Sequence, residues 1–222
     1  MAQYRIRPYQ DGDYEAARTL FACGILEHVP ATYRHLLQAG RAQLALLALV
    51  AAVRAAAGCW APALGAAVLA LLAAWPLVRS LATSYVQEAL ETDLRDIRAA
   101  YVEPPDASFW VAEAGGVLVG TVAAVPAPEP GVLELKRMSV RRDQRGRGIA
   151  RVLVREVLRF AEARGYGAVV LSTSVVQVAA QRLYEGQGFR RVGAASPSLL
   201  GSLLCFQIFD YRRELPAGPR AE

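Results

Sequence analysis

Side chains that bind metals are scarce in this chain. Its 222 residues include two histidines, His28 and His35, and three widely separated cysteines, Cys23, Cys59 and Cys205. No C-x-x-C pair and no H-E-x-x-H pattern occurs, so neither a zinc site nor a disulfide framework is indicated and no catalytic metal is expected. Acidic charge is short as well, with 20 Asp and Glu against 25 Lys and Arg and a net charge of +5. That balance suits an anionic partner and does not choose between a phosphate-bearing ligand, a membrane surface and nucleic acid. Aromatic residues are not interleaved among the loop arginines, as stacking on single strands requires, so no nucleic-acid partner is expected. The length allows one domain with a real core plus one added element.

What the chain has in excess is apolar surface, at 54% hydrophobic residues against 20% charged. The excess is concentrated between Ala42 and Val78. Ala42 to Val53 carries no charge, Arg54 interrupts, and Ala55 to Val78 then runs for 24 uncharged residues. That run is long enough to span a bilayer. About forty mixed residues precede it and Arg41 and Arg79 bracket it, which is unlike a secretory signal. A lipid bilayer is therefore an expected partner; the alternative is a pair of buried core helices. The implied organisation is a soluble unit begun by residues 1–40, an anchoring insert at 41–79, the rest of the unit at 80–215 and a disordered tail at 216–222.

Outside the insert the pattern is α/β. Tyr4 to Arg7 reads as a strand, and Asp11 or Asp13 offers an N-cap for a helix burying Ala17, Leu20 and Phe21. Val86, Leu90, Leu94, Ile97 and Tyr101 recur at helical spacing, predicting one amphipathic helix closed by Pro104 and Pro105. Phe109 to Glu113 and Val117 to Val125 read as a hairpin around Ala114-Gly115-Gly116, and Val132 to Val140 as a third strand. A helical stripe from Ile149 to Ala161 ends near Gly165. Then come a strand at Ala168 to Leu171, a helix at Gln177 to Gln187, and strands at Phe189 to Val192 and Leu203 to Tyr211.

The stretch that carries chemistry is Arg141-Arg142-Asp143-Gln144-Arg145-Gly146-Arg147-Gly148-Ile149-Ala150, set between a strand and a helix. Two glycines let backbone N–H groups turn inward, and the helix start adds unpaired amides and its positive dipole end, which together make an anion site. The lysine and hydroxyl of a Walker loop are missing, and Arg151 stands where the Rossmann fingerprint needs its third glycine.

In this loop Arg145, Gly148 and Ala150 resemble the phosphate loop of the GNAT acetyltransferases: Arg or Gln, two residues, Gly, one residue, then Gly or Ala. Downstream, Ala180, Leu183, Tyr184, Gly188 and Phe189 are similar to the Ala-x-x-Leu-Tyr and Gly-Phe of that family. A nearer resemblance, to the camello-like N-acetyltransferases, covers most of the chain through Glu27, Pro30, Thr32, the apolar insert, Thr92-Asp93, Phe109-Trp110-Val111-Ala112 and Arg137-Met138-Ser139-Val140. The resemblance implies a GNAT fold, a mixed central sheet flanked by helices, here with an inserted hydrophobic membrane hairpin. That fold places strands from both sides of the insert in one sheet, so both flanks share one membrane side. With 37 residues broken by Arg54, Pro62 and Pro76, a re-entrant hairpin is expected ahead of two short or tilted spans.

The implied function is acetyl transfer from acetyl-CoA to the amino group of a small acceptor, a cysteine S-conjugate or aspartate, at the endoplasmic-reticulum membrane with the catalytic side in the cytosol. Acetylation of protein lysines and a catalytically silent scaffold are the alternatives. The resemblance assigns Met138, Ser139 and Val140 to the pantetheine, and Arg145, Gly146, Arg147, Gly148, Ile149 and Ala150 to the pyrophosphate. Gln177 replaces an asparagine common at its position and joins the binding set. Tyr184 is the expected proton donor to the departing thiolate, and Glu134, at the strand start, the expected base acting through water. His28 stands outside this set.

Overall fold

The computed structural model describes residues 4–196, 201–202 and 206–216. Among the described residues, seven strands form one sheet in the order β1-β2-β3-β4-β5-β7-β6. They are β1 (Tyr4–Pro8), β2 (Ser108–Ala114), β3 (Val117–Pro126), β4 (Val132–Val140), β5 (Ala168–Ser174), β6 (Arg190–Ala195) and β7 (Ile208–Glu214). All neighbours are antiparallel except β4 and β5, which run parallel. The helices are α1 (Tyr14–Leu26), α2 (Val29–Gln38), α3 (Gly40–Ala57), α4 (Trp60–Glu91), α5 (Ile97–Tyr101), α6 (Ile149–Ala163) and α7 (Val178–Glu185). The expected mixed sheet flanked by helices is present. Residues 203–205 of the last expected strand, and 217–222 of the expected tail, lie outside the described residues.

Each face of the sheet has its own core. On one face α6 buries Ile149, Leu153, Val154, Val157 and Ala161 against Val122, Leu133, Leu135 and Val169, as its apolar stripe at helical spacing requires. Trp110 belongs to this core, edge-on to Phe160. On the other face Ala17 and Phe21 of α1 meet Val86, Leu94, Ile97 and Tyr101, with Phe109, Val111 and Ala123 beneath them.

Two local readings need correction. Asp13 occupies the N-cap position of α1 without capping it; its carboxylate instead accepts from Arg7 (2.6 and 2.9 Å) and from the Gln10 amide. The helix expected from Val86 to Tyr101 is two helices. It breaks after Glu91 because Asp93 turns away to meet Arg137 and Tyr101, and Asp96 starts α5 by accepting from the Ala99 amide at 2.9 Å.

The apolar insert forms an antiparallel helical hairpin that turns at Gly58 and Cys59. The most apolar windows of α3 and α4 are 0% and 11% buried, which excludes the alternative of buried core helices. Leu44, Leu47, Leu64, Leu69 and Leu72 are all more than half exposed. Pro62 lies in the first turn of α4, where it is tolerated, and α4 continues through Pro76. The prolines therefore do not shorten the hairpin. At 18 residues α3 is roughly 27 Å long and at 32 residues α4 is roughly 48 Å. The foot of the hairpin packs on α2 through Val29, Leu36 and Val78, and the Tyr33 hydroxyl donates to Leu71 O at 3.0 Å. Since α4 ends only at Glu91, the expected boundary at residue 79 falls inside one continuous helix.

Candidate active site

A cleft opens where the sheet comes apart. β4 pairs with β5 only through Val132–Ala168, Leu133–Val169 and Glu134–Val170. Beyond Glu134 the two strands diverge, and a cavity of about 490 Å³ lies between Met138 to Val140 on one side and Val176 to Tyr184 on the other. The phosphate loop forms one end, and the corner between α1 and α2 forms the roof.

The loop end is made mainly of backbone. Gly146 and Gly148 sit at φ 77° and 83°, a region that any side chain with a Cβ enters at a cost. Gly148 is the N-cap residue of α6, and no side chain caps that helix. Its first amides are thus left for an anion, at the positive end of the helix dipole. Arg145 ties the loop down: its Nε donates to Val140 O at 2.9 Å, and its guanidinium pairs with Glu27 across the cleft. Arg141 is occupied by Asp143 at 2.7 Å.

The strand wall is pressed against α1. Ser139 Oγ donates to Leu20 O at 3.1 Å, and a Cβ at Gly24 would stand 2.3 Å from Ser139 Oγ, so a larger residue there would displace that hydroxyl. On the opposite wall, Gln177 Oε1 accepts from Thr173 Oγ1 (3.0 Å), the Ser174 amide (3.1 Å) and Ser174 Oγ (3.1 Å), joining the end of β5 to the start of α7. Tyr184 is 5% exposed and edge-on to Phe189. Burial raises its pKa, so the phenol keeps its proton at neutral pH.

Of the residues expected to act, Met138, Ser139, Val140, Arg145, Gly146, Gly148, Ile149, Ala150, Gln177 and Tyr184 line this one cleft. Arg147 is exposed and is not part of the lining. Neither is Glu134, which pairs with Lys136 at 3.6 Å. The roof adds residues outside the expected set: Phe21, Gly24, Ile25, Glu27 and His28 all line the cavity. From the sequence, the Glu27-His28 segment reads as a candidate lining of the acceptor pocket, with His28 itself left outside the expected set because a histidine near a helix end is more often a surface or capping residue. Burial lowers the pKa of His28 and nearby Arg145 lowers it further, against the opposing pull of Glu27 at 3.7 Å. The imidazole is therefore neutral at neutral pH.

The profile of the acetyltransferase (GNAT) family matches residues 75–189. The chain belongs to the GNAT acetyltransferase family. With that goes its class, an acetyl-CoA-dependent N-acetyltransferase. This GNAT enzyme is 42% identical over 221 residues to human N-acetyltransferase 8B, covering 98% of this chain and 97% of that one. It is 37% identical to mouse N-acetyltransferase 8 over the whole of both chains. Among solved structures, an acetyltransferase of the GNAT family from Staphylococcus aureus Mu50 matches with a TM-score of 0.61 at 16% identity, covering 96% of this chain and 100% of that one. At that identity the likeness speaks to the fold alone.

Proposed function

We propose that this enzyme transfers acetyl from acetyl-CoA to the amino group of a small amino-acid-type acceptor, a cysteine S-conjugate or aspartate, while anchored in the endoplasmic-reticulum membrane with its cleft in the cytosol. The observation that carries the reading is the single cleft joining a backbone anion site to a buried, protonated Tyr184. The uncapped start of α6 and the two left-handed glycines suit a pyrophosphate, and the unpaired edge of β4 suits the amides of pantetheine. Acetyl-CoA supplies an activated thioester. Backbone amides of Met138 to Val140 stabilise the oxyanion formed when the amine attacks. Tyr184 then donates its proton to the leaving thiolate. Gln177 has committed its carbonyl oxygen, so its contact with the donor falls to Nε2.

An ammonium cannot attack, so the acceptor must give up a proton. Glu134 can take it only through water, from outside the cleft lining. His28 is a second acceptor of that proton, favoured by its place in the roof and its neutral imidazole. Parallel pH profiles of His28→Gln and Glu134→Gln separate the two.

The hairpin is assigned two antiparallel spans rather than a re-entrant loop. α3 at roughly 27 Å, and α4 over residues 60–77, before it packs on the rest of the chain, at about the same length, approach the roughly 30 Å of a bilayer core. Near the turn, the Arg54 guanidinium lies over the Trp60 ring at 5.2 Å, a pairing suited to the far interface, where tryptophan anchors and arginine reaches headgroups. With Cys23 and Cys205 replaced by serine, an impermeant maleimide on sealed microsomes should label Cys59 only after permeabilisation. Absence of labelling in both conditions would restore the re-entrant form.

The deciding assay is CoA release by detergent-solubilised protein given acetyl-CoA with aspartate, S-benzylcysteine or a lysine peptide. Turnover on either of the first two supports the reading. Turnover on the peptide alone replaces it with protein acetylation, and acetyl-CoA binding without turnover on any amine supports a scaffold.

A further inference from the structure

Among the described residues, Arg137 is the one non-glycine residue with positive φ, at 52°. A left-handed conformation is disfavoured for a side chain of this kind, so something must hold it. Arg137 sits in a bulge of β4. Opposite it, β3 advances two residues, from Thr121 to Ala123, while β4 advances three, from Lys136 to Ser139. The bulge changes which residues face which way, because one extra residue inverts the alternation of a strand. Before it, odd-numbered Leu133 and Leu135 pack toward α6; after it, even-numbered Met138 and Val140 do so, and Ser139 meets α1. Without the bulge, the strand wall of the cleft would present its other face.

The restraint on the bulge comes from far along the chain. Arg137 Nε donates to Asp93 Oδ2 at 2.8 Å and its Nη2 to Asp93 Oδ1 at 2.5 Å, a two-pronged contact that fixes the guanidinium plane. The Tyr101 hydroxyl donates to the same carboxylate, and the Phe21 ring lies 4.9 Å from the guanidinium. Thr121 Oγ1 donates to the Arg137 carbonyl at 3.0 Å. The Arg137 side chain is 10% exposed and that of Asp93 23%.

We infer that Asp93 and Arg137 are a positioning pair for acetyl transfer, holding the β4 bulge so that Met138 to Val140 meet the thioester. The inference rests on the function proposed above. Neither residue lines the cleft, so both act through the strand. Loss of the pair should lower kcat far more than it weakens acetyl-CoA binding, since the phosphate loop is left whole.

The test uses the full chain in detergent, with acetyl-CoA affinity by calorimetry, kcat by CoA release and thermal melting as a check on folding. Arg137→Gly is the informative variant, because glycine relieves the left-handed strain while removing the anchor. If the arginine only tolerates its conformation, glycine leaves kcat unchanged. As a positioning residue, its loss lowers kcat by roughly 100-fold, the scale of a small misplacement at a reacting centre. Acetyl-CoA affinity should stay within about threefold, because phosphate contacts are untouched. Asp93→Asn should give a smaller loss of the same kind, and the double variant should lose little more than Arg137→Gly, because the two act as a unit. Wild-type turnover with kcat within about threefold in both variants, or affinity falling in step with kcat, overturns the pair and leaves the functional reading intact. A wild-type chain that turns over none of the amines overturns the functional reading and the pair with it.

Discussion

The two ends of the cleft are built by different means. The phosphate end is backbone: left-handed glycines and an uncapped helix start, all inside one run of ten residues. The roof and its strand wall are brought together from α1, the corner after it and β4. The first kind of site writes itself into local sequence as a spacing. The second exists only after folding, and its members look ordinary one at a time.

The largest expected effect lies at the phosphate end. Gly148→Val puts a β-branched residue at φ 83° and should weaken acetyl-CoA binding roughly 100-fold or more, measured by calorimetry. If affinity holds, backbone shape is not what this end contributes. Next is Tyr184→Phe, expected to lower kcat by about 10- to 100-fold with acetyl-CoA affinity unchanged, as loss of a general acid requires. An equal loss of affinity would reassign Tyr184 to packing against Phe189.

His28→Gln tests the roof. Because burial holds the imidazole neutral, the wild type should lose kcat/KM only as pH falls through a value below the ordinary 6.5 of histidine. The variant should be about tenfold slower at neutral pH and should lack that acid limb. A profile identical to wild type would move the base to Glu134. The smallest effect belongs to Arg141→Ala, which removes an exposed pair with Asp143 and should change acetyl-CoA KM by no more than about twofold. A larger shift would mean that the loop's arginines, and not its backbone, bind the phosphates.

The same contrast explains what could be read in advance. The third strand was legible at both ends, Val132 to Val140, because the proline-rich loop ending at Gly131 gives way to a stretch in which apolar residues alternate with polar and charged ones. The stripe of α6 was legible because every third or fourth residue is apolar. The break after Glu91 was not, since Val86, Leu90, Leu94, Ile97 and Tyr101 keep helical spacing across it. What ends the helix is a carboxylate whose partner stands 44 residues further on. His28 stood outside the expected set because a histidine near a helix end is more often a surface or capping residue, and only the fold brings the α1–α2 corner over the cleft. Glu134 was chosen for its place at the strand start, and in the fold it lies outside the cleft lining and pairs with Lys136, two residues on in the same strand. Glu27 acquires its meaning only beside Arg145.

The unbroken course of α4 has one more consequence. The helix that forms half of the hairpin also contributes Val86 and Ala89 to the core beneath the catalytic sheet, with no linker between the two duties. In a bilayer such a connection acts as a stalk and not a tether. The enzyme could not swivel freely above the lipid. Its cleft would stand at one height and one tilt, set by the same helix that packs in the core.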